Sequence, residues 1–163
     1  MLRFICGTSV YDDEANGRSE SNCRVVTGSA LIEPARSHRL EIPHHRVGGE
    51  LRLESDLAVS LNTTRRPSIV GGRLRFYEGA STDTNDLEDQ KSFQLQTTRG
   101  FVSRGYNQLH NSGRRGGDFA EIFLVTAEDT EDPAAAFFDQ RTVLEENTAD
   151  LRLHCEVEAA YAA

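Results

Sequence analysis

Apolar and polar residues alternate with a period of two along much of the chain, a pattern typical of strands with one buried face. The clearest case is ELRLESDLAVSL, residues 50–61, in which leucine or valine fills most odd-numbered positions. The same alternation recurs in RLEI, GRLRFYEG, SFQLQ and DLRLHCEVEA. In the last segment the apolar phase comprises Leu151, Leu153, Cys155 and Val157. We predict a half-buried strand in each of these segments.

Residues 118–127, DFAEIFLVTA, are apolar on both faces. One phase contains Ala120, Ile122 and Leu124, and the other contains Phe119, Phe123 and Val125. A strand that is buried on both faces lies inside a sheet that is covered on both sides. The segment therefore predicts a central strand with another part of the protein packed over its second face.

The segments LRFIC and CRVVTGSALI near the start bring the expected total to eight or nine strands, separated by turn residues. Short strands with one polar face favour an all-β fold, an antiparallel two-sheet β-sandwich or jelly roll. Only EDPAAAFFDQRTVLEE has a helical pattern, with Asp132 as the cap and Pro133 at the first helical position. We predict one short helix near residues 133–144 and a single domain spanning residues 1–163.

Charge and composition narrow the class of partner and the compartment. The net charge of −8 argues against a nucleic-acid partner. No apolar run reaches the ~20 residues of a membrane span, and the first residues lack the features of a signal peptide. Cys6, Cys23 and Cys155 share a phase with apolar neighbours. We expect three inert buried thiols in a protein that is cytoplasmic or part of a particle assembled inside the cell.

The segment EGASTDTNDLEDQK, residues 78–91, holds five carboxylates between two predicted strands. An EF-hand loop that begins at Asp83 would take its first three side-chain ligands from Asp83, Asn85 and Leu87. Leucine cannot be a ligand and the required glycine is missing, so the EF-hand pattern is not met. Ligands drawn from one loop or several neighbouring loops remain an alternative, and no other cofactor is expected. The candidate calcium ligands are Asp83, Asn85, Asp86, Glu88 and Asp89.

Internal arginine partners offer a simpler role for these carboxylates. If the later strands are consecutive and antiparallel, their loops alternate between the two ends of the sandwich. Each acidic loop then shares its end with an Arg-Arg loop, and guanidinium groups pair with carboxylates in a bidentate geometry. The interaction residues predicted in this way are Arg65, Arg66, Arg114, Arg115, Glu128, Asp129, Glu131 and Asp132.

Catalytic motifs are weak. Adjacent His44 and His45 point to opposite faces of a regular strand, so we expect the histidines to be polar surface residues. The chain has neither a Gly-x-Ser-x-Gly motif nor a phosphate-binding loop. The absence of tryptophan argues against a sugar-binding cleft. A hydrolase that uses two carboxylates on opposing strands is an alternative that only strand pairing can specify.

These patterns favour a non-enzymatic structural or assembly subunit that acts through protein–protein association. We expect self-association as a homo-oligomer, or a place in a larger assembly of the capsid, decoration or filament type. The alternative hypothesis is a calcium-dependent module that binds membranes or glycans.

Overall fold

The computed structural model describes residues 1–12, 20–61, 68–81, 83–111 and 117–128, which form nine strands in two antiparallel sheets. The strands are β1 (Leu2–Asp12), β2 (Glu20–Ala30), β3 (Ser37–Arg39), β4 (His45–Val47), β5 (Leu51–Leu61), β6 (Ser68–Tyr77), β7 (Leu87–Thr97), β8 (Val102–His110) and β9 (Phe119–Glu128). The prediction of an all-β, two-sheet sandwich is confirmed. The helix predicted near residues 133–144 lies outside the described residues.

One sheet has the order β2-β1-β9-β8, and the other has the order β3-β5-β6-β7 with β4 also paired to β5. Most hydrogen-bonded neighbours are also neighbours in the chain, and the pairing of β9 with β1 closes the four-stranded sheet. A jelly roll is built instead from two Greek keys, whose long connections cross over the sandwich. The described connectivity therefore fits a meandering sandwich. Within these residues no helix is long and apolar enough to cross a membrane.

The core lies between the two sheets and follows the predicted alternation. Leu51, Leu53, Leu57 and Val59 of β5 are fully buried in it. In the facing sheet, β9 lies between β1 and β8, which confirms the central position predicted for residues 118–127. Its inner phase of Ala120, Ile122 and Leu124 is fully buried, and Val125 of the second phase is buried as well.

The chain passes from one sheet to the other between β7 and β8, whose edges lie side by side. Lys91 Nζ donates a hydrogen bond to the backbone carbonyl of Gln108 across this edge. A Cβ atom on Gly105 would lie 2.7 Å from the ring of Phe93, so β8 approaches closely because residue 105 is glycine. The Lys91 hydrogen bond and the packing of Phe93 against Gly105 thus join the two sheets between β7 and β8.

The cysteines differ from one another in their chemical state. Cys6 faces the core as a free thiol, and burial raises its pKa to about 12, which makes it inert at neutral pH. Cys23 is disulfide-bonded. The expectation of three free thiols is therefore wrong for Cys23. Its phase, shared with Val25, belongs to the outer face of β2 and not to the core between the sheets.

Candidate interaction surfaces

Loops gather at two ends of the sandwich, as the alternation of strands predicts. At one end the side-chain amide of Asn111 donates to the carboxylate of Glu78, and the backbone amide of Asn111 donates to the carbonyl of Asp118 at 3.1 Å. At the other end the amide of Gly100 donates to the carbonyl of Glu128 at 3.2 Å. We call the first the acidic end, defined by Glu78, Asp83, Asp86 and Asp118.

The opposite end presents apolar side chains. Leu31 follows β2, Met1 precedes β1 and Phe101 precedes β8. The strand registers bring all three to the same end of the four-stranded sheet, where these strands begin or end. Their exposed fractions are 59%, 50% and 65%. With strands about 4.8 Å apart, this row spans roughly 14 Å across the sheet, with β9 between Met1 and Phe101. We call this the apolar end; it holds three of the five exposed large apolar side chains among the described residues.

Glu128, one of the predicted interaction residues, lies at the apolar end but faces inward. It is buried, and its Oε2 accepts a hydrogen bond from the hydroxyl of buried Ser68 at 3.0 Å. Because Ser68 belongs to β6 and Glu128 to β9, this bond joins the two sheets. The other predicted interaction residues lie outside the described part of the chain: Arg65, Arg66, Arg114, Arg115, Asp129, Glu131 and Asp132.

The acidic segment is held by arginines from the neighbouring strands. Arg46 of β4 pairs with Asp83 at 2.7 Å, and Arg52 of β5 donates to the carbonyl of Thr84 at 2.8 Å. Thr84 Oγ1 donates to Asp86 Oδ2 at 3.0 Å. The predicted arginine partners of this segment, Arg114 and Arg115, lie outside the described residues. The partner observed for Asp83, Arg46, comes from a three-residue strand that is too short for hydrophobic alternation to reveal.

The remaining candidate calcium ligands include Glu88 and Asp89 of β7. Asp89 Oδ2 accepts a hydrogen bond from the amide of His110 at 3.2 Å and lies 3.8 Å from Lys91 Nζ. No group of three or more His, Cys, Asp or Glu side chains within the described ranges is placed to hold a metal ion. The carboxylates of the candidate set, Asp83, Asp86, Glu88 and Asp89, therefore form no such group.

The acidic end also contains a carboxyl pair that sequence reasoning missed. Burial and the neighbouring carboxylate of Asp118 raise the pKa of Glu78 to about 7, and the charge of Glu88 adds to this effect. The side-chain amide of Asn111 acts in the opposite direction by hydrogen bonding to Glu78. Glu78 follows β6 and Asp118 precedes β9, so only the three-dimensional pairing of loops brings them together.

His45 bridges the two sheets inside the protein. Its Nδ1 lies 2.9 Å from the hydroxyl of Thr8, and its Nε2 lies 2.9 Å from the side-chain oxygen of Asn22. Since an amide oxygen only accepts, Nε2 donates to Asn22 and Nδ1 accepts from Thr8. Burial, together with the charge of Arg24, lowers the pKa of His45 to about 4. The expectation of a surface histidine is wrong for His45, which is a neutral structural bridge.

Charged groups on the outer face of the five-stranded sheet neutralise one another. Glu54 pairs with Arg75 at 3.0 Å and with Arg52 at 3.0 Å. Asp56 pairs with Arg39 at 2.7 Å and with Arg75 at 2.9 Å. Opposite charges on neighbouring strands stabilise cross-strand pairing modestly. This face is thus a partly solvated, internally paired surface.

Comparison with known proteins returned no significant match to a family model, to a curated protein or to a solved structure. The function proposed below therefore rests on the contacts and exposures of this chain.

Proposed function

We propose that this protein is a non-enzymatic structural or assembly subunit that associates with other proteins, first of all with copies of itself, through its apolar end. The supporting observation is the row formed by Leu31, Met1 and Phe101. Scattered exposed apolar side chains are ordinary, whereas grouped ones mark contact sites. Capsid, decoration and filament components are the type of subunit that this sandwich and its end contact fit, an argument by analogy of fold.

The free energy available from one such contact is small, so a single contact holds two subunits together only weakly. Full burial of a large apolar side chain contributes about 1.5–3 kcal/mol, and these three side chains are already partly covered. Two copies that meet symmetrically bury the row of each. The gain is offset in part by the loss of translational and rotational freedom. A contact of this size suits a subunit that uses several such contacts within an assembly.

Salt dependence separates an apolar contact from a charged one. Two copies that each carry a net charge of −8 repel at low ionic strength. Added salt screens this repulsion, so association through the apolar end strengthens as salt rises. Association through pairs of arginine and carboxylate loops would instead weaken as salt rises.

Sedimentation mass over a wide concentration range, at low and high salt, tests the proposal. We expect the mass to rise with concentration, and more strongly at high salt. Phe101→Asp should weaken association at least about tenfold, the effect of losing 1.4 kcal/mol. Leu87→Asp is the matched control, because Leu87 is 47% exposed at the start of β7, beside the acidic end.

Two results would count against the proposal. A monomer at every concentration and salt level would remove self-association. Equal weakening by Phe101→Asp and Leu87→Asp would remove the apolar end as the contact.

A further inference from the structure

One arginine on the outer face of the five-stranded sheet lies outside the ion pairs of that face. The outward positions of β3, β5, β6 and β7 carry four arginines, Arg39, Arg52, Arg73 and Arg75, and two carboxylates, Glu54 and Asp56. All of these except Arg73 take part in the ion pairs. Arg73 is exposed and has neither a hydrogen bond nor an ion pair with the described residues. These strands therefore present an excess of two positive charges on a protein whose net charge is −8.

Two adjacent glycines of β6 differ in what requires them. A Cβ atom on Gly72 would lie 1.9 Å from the carbonyl oxygen of Asp56, so the close approach of β5 demands glycine there. A Cβ atom on Gly71 would lie 3.6 Å from the carbonyl oxygen of Phe93 and 3.9 Å from Ile69, which are ordinary contacts. The packing of the chain would thus accept a side chain at position 71. Glycine weakens a strand, and where internal packing does not require it, it indicates a point that another backbone or a ligand approaches closely.

The missing side chain at Gly71 leaves a shallow depression on this face. Ala58 of β5 and Gln94 of β7 pair with Gly71 on its two sides. Arg73 lies two positions further along β6, opposite Ser92 of β7. Because Arg73, Ser92 and Gln94 are all exposed, the depression is open to water. We call it the glycine depression.

We propose that the glycine depression binds an extended acidic segment of a partner protein, with Arg73 paired to one of its carboxylates. A guanidinium group without an internal partner can bind a carboxylate in a bidentate geometry. The side-chain amide of Gln94 and the hydroxyl of Ser92 can both donate and accept hydrogen bonds, which suits the peptide groups of such a segment. The space above Gly71 lets that backbone come close to β6.

Other anionic ligands fit this surface less well. Nucleic acid is held by several cations that each neutralise a phosphate, whereas one arginine of this face lies outside its ion pairs. Sugar rings bind by stacking on aromatic side chains, and the residues paired with Ile69, Gly71 and Arg73 on either side are not aromatic. A peptide carboxylate matches both the single guanidinium and the polar, non-aromatic surroundings.

The glycine depression lies on a sheet face and not at the apolar end, so this inference does not rest on the proposed self-association. The two contacts also respond differently to salt. Association through the apolar end strengthens as salt rises, whereas a pair between Arg73 and a carboxylate weakens.

Chemical-shift mapping of the isotope-labelled full chain tests the site. One probe is a hexapeptide in which glutamate alternates with serine, and the matched probe has glutamine in place of glutamate. We expect saturable shifts of the Gly71 and Gly72 amides and of Arg73 Nε with the glutamate peptide, and binding about tenfold weaker with the glutamine peptide. Equal binding of the two peptides would overturn the proposal. Inorganic phosphate that binds at these positions as tightly as the glutamate peptide would overturn it too.

Three variants separate the site from net charge. Arg73→Gln should weaken binding of the glutamate peptide about tenfold. Arg104→Gln is the matched control, because it removes the same charge from an exposed position of β8 in the other sheet, and it should leave the affinity nearly unchanged. Gly71→Val should fill the depression and weaken binding severalfold without lowering the melting temperature.

Equal weakening by Arg73→Gln and Arg104→Gln would reduce the effect to net charge and overturn the proposal, as would undiminished binding by Gly71→Val. Phe101→Asp should bind the peptide as the native chain does. A chain that stays monomeric but binds the peptide would remove association through the apolar end and leave the glycine depression in place.

Discussion

The two ends of the sandwich differ in what they expose. At the acidic end Asp83 lies at the surface and pairs with Arg46. Asp118, the carboxylate beside half-buried Glu78, is buried. At the apolar end the carboxylate of Glu128 is buried, and Leu31 and Phe101 are exposed. The density of charge along the sequence does not tell which carboxylates are buried. The exposed apolar side chains at one end are the basis of the proposed contact surface.

The largest difference between the ends is expected in the free energy of unfolding that is lost when one hydrogen bond is removed. Each end has a hydroxyl-to-carboxylate bond of the same length. Ser68 donates to Glu128 and Thr84 donates to Asp86, both at 3.0 Å, but only the first pair is buried. Ser68→Ala removes a donor from a buried carboxylate and should lower the free energy of unfolding by about 2 kcal/mol. Thr84→Ala, with water available, should cost less than about 1 kcal/mol. Urea unfolding measures both, and equal costs would contradict the contrast between the ends.

A smaller effect, with a predictable sign, is expected from the carboxyl pair of the acidic end. The pKa of Glu78 is raised from 4.5 to about 7, so between these values the folded protein binds more protons than the unfolded chain. The contribution of Glu78 to stability therefore falls as pH rises through 7. Glu78→Gln should raise the melting temperature relative to the native chain at pH 8 and change it little at pH 5.

The melting temperature of Glu78→Gln has to be compared with that of the native chain at each pH, because the pH dependence that His45 gives to stability is opposite to that of Glu78. Its pKa is lowered from 6.5 to about 4, so its contribution to stability is lost as pH falls through this window. That contribution is common to both proteins and cancels in the difference. If the difference in melting temperature between the native chain and Glu78→Gln is the same at pH 5 and pH 8, the raised pKa of Glu78 is ruled out.

Alternation along the sequence was sufficient to predict the fold because strongly patterned strands reveal their own faces. The leucines of β5 and the doubly apolar β9 are the clearest examples, and both were placed correctly. The same consecutive strands also predicted which loops share an end. These features depend on local periodicity and on simple antiparallel connection, which are properties of the chain itself.

Partners between distant strands could not be predicted in this way. Arg46 and His45 belong to β4, which has three residues and is too short to show a period, so neither the Asp83 pair nor the buried bridge was visible. Cys23 lies on an edge strand with apolar residues in both phases, so its face was ambiguous. Pairing of this kind is decided by sheet order and register, which alternation leaves open.

The smallest effect is expected from calcium, the ligand of the alternative hypothesis. Arg46 already neutralises Asp83, and no metal-binding group is formed by the described residues, so added calcium should leave the melting temperature of the native chain unchanged. Arg46→Gln removes the internal cation at a cost below about 1 kcal/mol, because the pair is exposed. If arginine pairing suppresses a calcium site, stabilisation should appear only in this variant. Stabilisation of the native chain, about 2.7 kcal/mol at 100 times the dissociation constant, would instead make the acidic end the functional one.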